Sequence, residues 1–413
     1  MSSKTRRLLE PAVFNSQNHR IDIEIRDELA AYTTGDLIEG FVSITTREND
    51  FSGKPIIKFQ GESRTKVERP FTYGCMRANH VFLETEQTLI RDHTHQSTFH
   101  NGFIHRYPFC FIVPGQLLPQ ACRHKKTDIA VEISHAMLPP TLGDSSPTGR
   151  CGWPKDDMAS NMARIRYFLR VDFIKPSCDT GANEIWLSKT KAVRLIPKYQ
   201  AVPPIDLFES SWHCSHKERR LSQGLLNSRS GRLTATMQQP RPIHIHGTRG
   251  KEYGCSSTAA IMNLSFVTAE NASPPQLQEI RSELHACTFY GITPWTKFPT
   301  LSDQNYLHYD GGRLFCRSSS CVNICVASVH WSRTSKIIAQ CKLHTSNDDH
   351  EIEYTASILV PVTPSKSISF VPTFHSCLIS RVYSLQLGLY YRQSRDSLFS
   401  SMLSLSVPIQ ITA

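Results

Sequence analysis

No stretch of this 413-residue chain stays apolar for long. Runs such as Ser357 to Val362 end after a handful of residues, far short of the roughly 20 that carry a helix through a bilayer, so no transmembrane helix is expected. Met1 to Glu10 carries Lys4, Arg6 and Arg7 with no apolar segment behind it, which points away from a secretory leader and towards a cytoplasmic protein. The signatures of common catalysts are also missing. There is no Gly-x-Ser-x-Gly elbow, no Gly-x-x-x-x-Gly-Lys-Ser/Thr phosphate loop and no dinucleotide Gly-x-Gly-x-x-Gly after a strand, so hydrolase and nucleotide-binding readings lose their usual anchors. No apolar stripe of helical period persists over four heptads, which excludes a coiled coil. The 13 cysteines are odd in number and scattered, and the cytosol keeps thiols reduced; a disulfide framework is not expected, and most thiols read as small buried hydrophobes. Sequons at Asn263 and Asn271 carry no weight for a chain outside the secretory route.

What is present suits a folded protein of two or three domains: 39% of residues are hydrophobic and 20% charged, enough to bury a core. The dominant period is two. Ile21, Ile23 and Ile25 alternate, then Val42 and Ile44, Ile57 and Phe59, and Tyr107, Phe109, Phe111 and Val113. Ile129, Val131 and Ile133 continue the pattern, as do Ile165, Tyr167, Leu169, Val171 and Phe173. Successive side chains of a strand point to opposite faces, so these segments read as strands with one buried face. Thr34-Gly35-Asp36 supplies turn chemistry between the first two and predicts a hairpin.

A second set follows residue 240: Ala260, Met262, Leu264 and Phe266; Ile324, Val326, Ser328 and His330; Ile379, Tyr383, Leu385, Leu387 and Leu389; and Leu403, Leu405, Val407, Ile409 and Ile411. The window from Leu277 to Cys287 fits both a helical and a strand face, and the β-formers Thr288, Phe289 and Tyr290 tip it to strand. Between the sets, Glu209 to Arg241 is polar, basic and without a visible period, so it reads as a linker or mobile loop. Pro299 to Ser320 and Gly143 to Asn161 read as further long loops. The expected organisation is an N-terminal tail over 1–19, a β-sandwich over 20–208, a basic polar connector over 209–241, and a second sandwich over 242–413 with a long loop near 299–320.

Several segments resemble a known family. Tyr32-Thr33-Thr34-Gly35-Asp36-Leu37-Ile38-Glu39-Gly40, with Ile57-Lys58-Phe59-Gln60-Gly61 after it, resembles the opening strands of arrestin-fold proteins. Tyr107-Pro108-Phe109-Cys110-Phe111-Ile112-Val113-Pro114 is similar to a later strand of that family. His135 to Asp144, Val360 to Lys366 and Phe374 to Tyr383 look like the versions in arrestin-like proteins of filamentous fungi. The matches span most of Ile21 to Ile411. The resemblance implies an all-β protein of two immunoglobulin-like sandwich domains, without catalytic activity or cofactor, that binds cytoplasmic tails of transporters or receptors in trafficking, endocytosis or ubiquitin-dependent turnover. Such proteins also depend on an internal cluster of opposite charges linking the domains, which no motif locates here. Pro139-Pro140, Pro203-Pro204 and Pro274-Pro275 all lack the Tyr of Pro-Pro-x-Tyr, so recruitment of a ubiquitin ligase by that route is doubtful.

The residues themselves offer two kinds of site. The balance of 46 Lys+Arg against 36 Asp+Glu favours anionic partners. Arg123, Lys125 and Lys126 form one basic cluster, and Lys217, Arg219 and Arg220 another; either would bind phosphorylated tails or an anionic membrane surface at the plasma membrane or endosomes, or be solvated loop charge. Nucleic acid is not expected, because the aromatics lie in strand patterns away from these clusters. The competing reading is a metal-dependent enzyme on a β-sandwich, using His93 with His95, His244 with His246, and His344 with Asp348, Asp349 and His350. Spacing alone does not converge them, and Cys316, Cys321 and Cys325 lack the Cys-x-x-Cys spacing of a zinc ribbon, so no metal ligand is assigned.

Overall fold

The computed structural model describes residues 20–46, 54–68, 74–90, 92–99, 102–146, 156–176, 183–199, 214–223, 228–247, 254–268, 272–300, 307, 311–337, 350–393 and 399–413. Within them the chain is almost wholly β, in several antiparallel sheets consistent with β-sandwich packing. In the first half one sheet has the order Arg20–Ile25, Leu37–Thr46, Gly102–Ile112, Asp92–Phe99, and another the order Cys75–Thr88, Lys54–Glu68, Ala163–Pro176, Asn183–Val193. Ile21, Val42, Ile44, Phe109 and Phe111 from the first share one buried cluster with Ile57, Phe59, Ile165, Leu169 and Phe173 from the second. Phe59 and Phe111 meet between the sheets with ring centroids 5.9 Å apart. Each large side chain so buried contributes about 1.5–3 kcal/mol, and a one-residue slip would turn its whole strand outward, so the alternation sets the register.

The Tyr32 to Gly40 motif has a local physical basis. Gly35 takes φ +82°, Asp36 Oδ2 accepts from the Thr33 N–H at 2.8 Å, and the buried Tyr32 bridges to Leu195. At Gly40 a Cβ would stand 1.9 Å from the Glu24 carbonyl oxygen of the neighbouring strand, so only glycine allows that approach.

In the second half a five-stranded sheet runs Ser332–Ile337, His350–Val362, Thr258–Thr268, Ser228–Gln238, Cys214–Gln223. The other main sheet runs Gly312–Cys325, Gln276–Gly291, Ile379–Arg392, Phe374–His375, with Ser401–Ile409 also paired to Ile379–Arg392. A small sheet joins Gly254–Cys255, Ile243–His246 and Ile411–Thr412. Met262, Leu264, Phe266, Ile358 and Val360 face Ile280, Leu284, Leu385, Leu387 and Leu405 in a second core. From Ile379 to Leu385 the central strand is buried on both faces. One face meets that second core, while Ile379 belongs to the first cluster, together with Tyr290, Val371, Phe374, Cys377 and Leu378. The two halves therefore share a buried junction.

Four expectations are corrected. Glu209 to Arg241 is not a linker or mobile loop throughout: it contains the paired strands Cys214–Gln223 and Ser228–Gln238, so the second half begins well before residue 242. Leu233, Ala235 and Met237 alternate into the core from Ser228–Gln238, a short period hidden by the polar average of the segment. Ile129, Val131 and Ile133 lie not on a strand but on the helix Ile129–Ala136, because Asp128 Oδ1 accepts from the Val131 N–H at 2.9 Å as an N-cap. The helix buries Val131 and His135, one turn apart, and leaves Ile129 and Ile133 exposed. Pro299 to Ser320 is not one loop, since strand Gly312–Cys325 begins within it, opposite Gln276–Gly291. That strand ends before Val326, so Val326, Ser328 and His330 form a turn and loop rather than a strand.

Candidate functional site

The first basic cluster leads to the junction between the halves. Arg123 and Lys125 are exposed on the loop between Ala121 and the helix, while Lys126 is half-buried and donates from Nζ to the Cys122 carbonyl at 2.9 Å. Thr127 ties the same loop to the second half, its N–H and Oγ1 both reaching the Thr296 carbonyl, at 2.8 and 2.9 Å. The second cluster lies elsewhere, on edge strand Cys214–Gln223. Lys217 and Arg219 share a strand face with the buried Leu221, Arg220 lies on the other, and Arg219 donates to the Met402 carbonyl at 3.0 Å. Exposed charge along an edge strand protects it from pairing with other chains. The structure does not bring the two clusters together as one surface.

Beneath the first loop, Cys122, His124, His135 and Cys377 converge, with one donor atom from each within 4.8 Å of all the others. Cys122 Sγ is 3.0 Å from His124 Nε2, 3.5 Å from His135 Nδ1 and 3.3 Å from Cys377 Sγ, and Cys377 Sγ is 3.8 Å from His135 Nδ1. Each side chain arrives by a different route. Cys122 closes the short 3-10 turn Pro119–Ala121, and His135 comes from the last turn of the capped helix. Cys377 sits between strands Phe374–His375 and Ile379–Arg392, and its carbonyl accepts from the Trp295 N–H at 2.8 Å. His375, fully enclosed, lies 4.7 Å from the His135 ring and 4.7 Å from Phe298.

Burial sets the protonation here. Desolvation, followed by the nearby His124 and Lys126, pushes His135 down to about 3, and burial likewise lowers His124 and His375, so all three imidazoles are neutral. Burial also raises the Cys377 thiol. Neutral imidazoles, with thiols that release their protons to become thiolates as the ion binds, are a soft donor set of the type that binds Zn(II).

A polar seam runs along the same junction. Arg317 Nη1 pairs with Asp156 Oδ2 at 2.8 Å, the Ser369 N–H donates to the Asp156 carbonyl at 2.9 Å, and Arg194 Nη2 donates to Ser369 Oγ. At its centre Arg381 is 0% exposed. Its Nη1 donates to the Asp157 carbonyl at 3.1 Å and its guanidinium carbon is 5.7 Å from the centroid of the Tyr383 ring, while Nε and Nη2 make no well-formed hydrogen bond.

The histidine pairs singled out from spacing fare differently. His244 and His246 lie on the exposed face of Ile243–His246, with His244 Nδ1 2.6 Å from Thr412 Oγ1, and belong to no group of converging donors among the described residues. The side chains of His93, His95 and His350 lie outside what the structure describes, as do His344, Asp348 and Asp349 altogether. Of the three second-half cysteines, Cys316 pairs with Cys287, their Sγ atoms 2.8 Å apart across the Gln276–Gly291 and Gly312–Cys325 pairing. The Cys122/His124/His135/Cys377 cluster was not visible as a ligand set in the sequence. Its faint trace is the single pair Cys122-x-His124, with Cys377 roughly 250 positions away. In comparisons with known proteins, no family model and no curated protein matches the chain.

Proposed function

We propose that the chain is an arrestin-like adaptor without catalytic activity, built from two immunoglobulin-like sandwich domains, that binds cytoplasmic tails of membrane transporters or receptors and couples them to trafficking or ubiquitin-dependent turnover. The observation that carries this reading is the polar seam. A guanidinium buried at a junction with only one donor in a well-formed hydrogen bond, flanked by the surface pair Arg317–Asp156, is a place that a phosphate or carboxylate reaches by parting the halves, where it finds charge-assisted hydrogen bonds in exchange for the contacts that hold them together. The motifs from Tyr32 to Gly40 and from Phe374 to Tyr383 agree with it, since the first shapes the opening hairpin and the second carries Arg381 into the seam. Arg123 and Lys125, exposed near the junction, supply charge for a phosphorylated tail or an anionic membrane surface.

A metal-dependent enzyme is the less favoured reading. Four donors drawn from two thiols and two imidazoles fill a tetrahedron and leave no position for water or substrate, which is the pattern of structural sites.

The test is fluorescence anisotropy of the full chain with labelled cytoplasmic-tail peptides of transporters, phosphorylated and unmodified. Phosphopeptides are expected to bind at least tenfold more tightly, with the gain lost in Arg123→Glu/Lys125→Glu and in Arg381→Met. Equal binding of both peptide forms, or binding unchanged in both variants, would overturn the reading.

A further inference from the structure

We propose that Cys122, His124, His135 and Cys377 hold one zinc ion that staples the first half of the chain to the second. The proposal stands on the cluster alone and does not depend on the adaptor reading. Geometry is its first support. Zn–S bonds of about 2.3 Å and Zn–N bonds of about 2.05 Å at tetrahedral angles place donors about 3.8 Å apart for S and S and about 3.5 Å for S and N. Four of the six donor–donor separations, 3.3 Å between the sulfurs and 3.0, 3.5 and 3.8 Å from sulfur to nitrogen, lie within about half an ångström of those edges, and the remaining pairs lie within 4.8 Å.

The surroundings provide the second support. A ligating imidazole usually engages its other nitrogen with a carbonyl or carboxylate, which fixes the tautomer. His124 does this: its Nδ1 lies 3.1 Å from the Lys125 carbonyl, which leaves Nε2 as the lone-pair nitrogen facing Cys122. Backbone restraints hold the loop and the partner strand before any ion arrives. Lys126 grips the Cys122 carbonyl, Thr127 is bonded to Thr296, and Trp295 is bonded to Cys377. Lys126, with its Nζ at the Cys122 carbonyl, also places positive charge near the cluster, partly offsetting the charge of two thiolates.

The third support is what the site joins. Three ligands come from within 14 residues of the first half and the fourth lies 242 positions beyond His135. His135 and Cys377 are buried while Cys122 and His124 are half-buried, so the ion would sit at the rim of the junction, reachable from solvent but shielded from exchange. Ions preferring oxygen donors are disfavoured by this set, which contains no carboxylate.

The competing chemistry at the same atoms is a Cys122–Cys377 disulfide, and one set of measurements separates the two. Purified full-length chain, kept in a phosphine reductant, is assayed for zinc by mass spectrometry, then stripped with chelator and titrated with Co(II). The expected results are one zinc per chain and a cobalt spectrum with tetrahedral d–d bands and thiolate-to-metal charge transfer. His124→Ala, on the half-exposed rim, and Cys377→Ser should each weaken cobalt binding by at least about 100-fold, since even second-shell partners cost 10–100-fold. Cys316→Ser should leave it unchanged. Circular dichroism checks that each variant is folded, and His124→Ala keeps the test valid if Cys377→Ser is not. Absence of thiolate charge transfer, retention of wild-type cobalt affinity in His124→Ala and Cys377→Ser, or an intact mass about 2 Da light without reductant that no zinc accompanies, would each overturn the proposal.

Discussion

Replacing Arg381 by methionine should leave the protein as stable as before or make it more stable. The guanidinium is fully buried, and removing an ion from water costs several kcal/mol even after relaxation. Against this stand one charge-assisted hydrogen bond to the Asp157 carbonyl, worth about 1.5–3 kcal/mol, and the contact with the Tyr383 ring, worth up to about 2 kcal/mol. Nε and Nη2 make no well-formed hydrogen bond. The terms nearly cancel, and an unbranched side chain of similar length refills the space without the desolvation cost, so Arg381→Met is expected between neutral and about 4 kcal/mol stabilising. Arg381→Ala should instead lose about 2–5 kcal/mol, because it leaves a cavity between the two cores. The assay is urea denaturation of the full chain followed by intrinsic fluorescence, comparing midpoints at constant slope. A loss of more than about 2 kcal/mol in Arg381→Met, with a native-like spectrum, would mean that the arginine is more fully compensated than its contacts show. The energetic argument for its role as a binding residue would then fail.

Three further outcomes follow from the structure. Gly40→Ala forces a Cβ onto the Glu24 carbonyl and should release strand Arg20–Ile25, exposing Ile21 and Ile23 at a cost of about 3–6 kcal/mol, whereas Gly35→Ala, with open space around it, should lose only the about 1–2 kcal/mol of its positive φ; equal urea midpoints for the two would contradict this. Cys316, held below the ordinary thiol range by a hydrogen bond from Cys287 and by nearby Arg381, should alkylate at pH 8 well before Cys255 and Cys321, which burial pushes up to about 11. Peptide mapping after a short iodoacetamide pulse reads this, and Cys287→Ala should slow the Cys316 reaction. Asp128→Ala removes the cap of helix Ile129–Ala136 and should lower stability by about 1 kcal/mol in the same urea assay, with Asp128→Asn restoring most of it.

The strands that border the cores were legible because burial on one face imposes a period of two that survives in the sequence, as at Tyr107, Phe109 and Phe111 or Leu403, Leu405 and Val407. Cys214–Gln223 was illegible for the opposite reason: it is an edge strand whose charged residues protect it, and among its described side chains only Leu221 is buried. The helix was misread because Ile129 and Ile133 point to solvent, so two of the three residues in the apolar alternation lie outside the core. Among candidate site residues, the exposed charges Arg123 and Lys125 could be singled out from composition, because net charge is a sum over the chain.

Convergence is not such a sum. Arg381 looks ordinary on its strand and Cys377 in the bend before it, and Cys122, His124 and His135 look ordinary in their loop and helix. Sequence by itself determined the all-β class, the alternation of the core strands and the basic excess, since the first two depend on neighbours two positions away and the third is a sum over the chain. Only the tertiary structure decided that a buried arginine occupies the seam and that two thiols and two imidazoles meet there, because those contacts join positions more than 200 residues apart and follow from how the two cores pack.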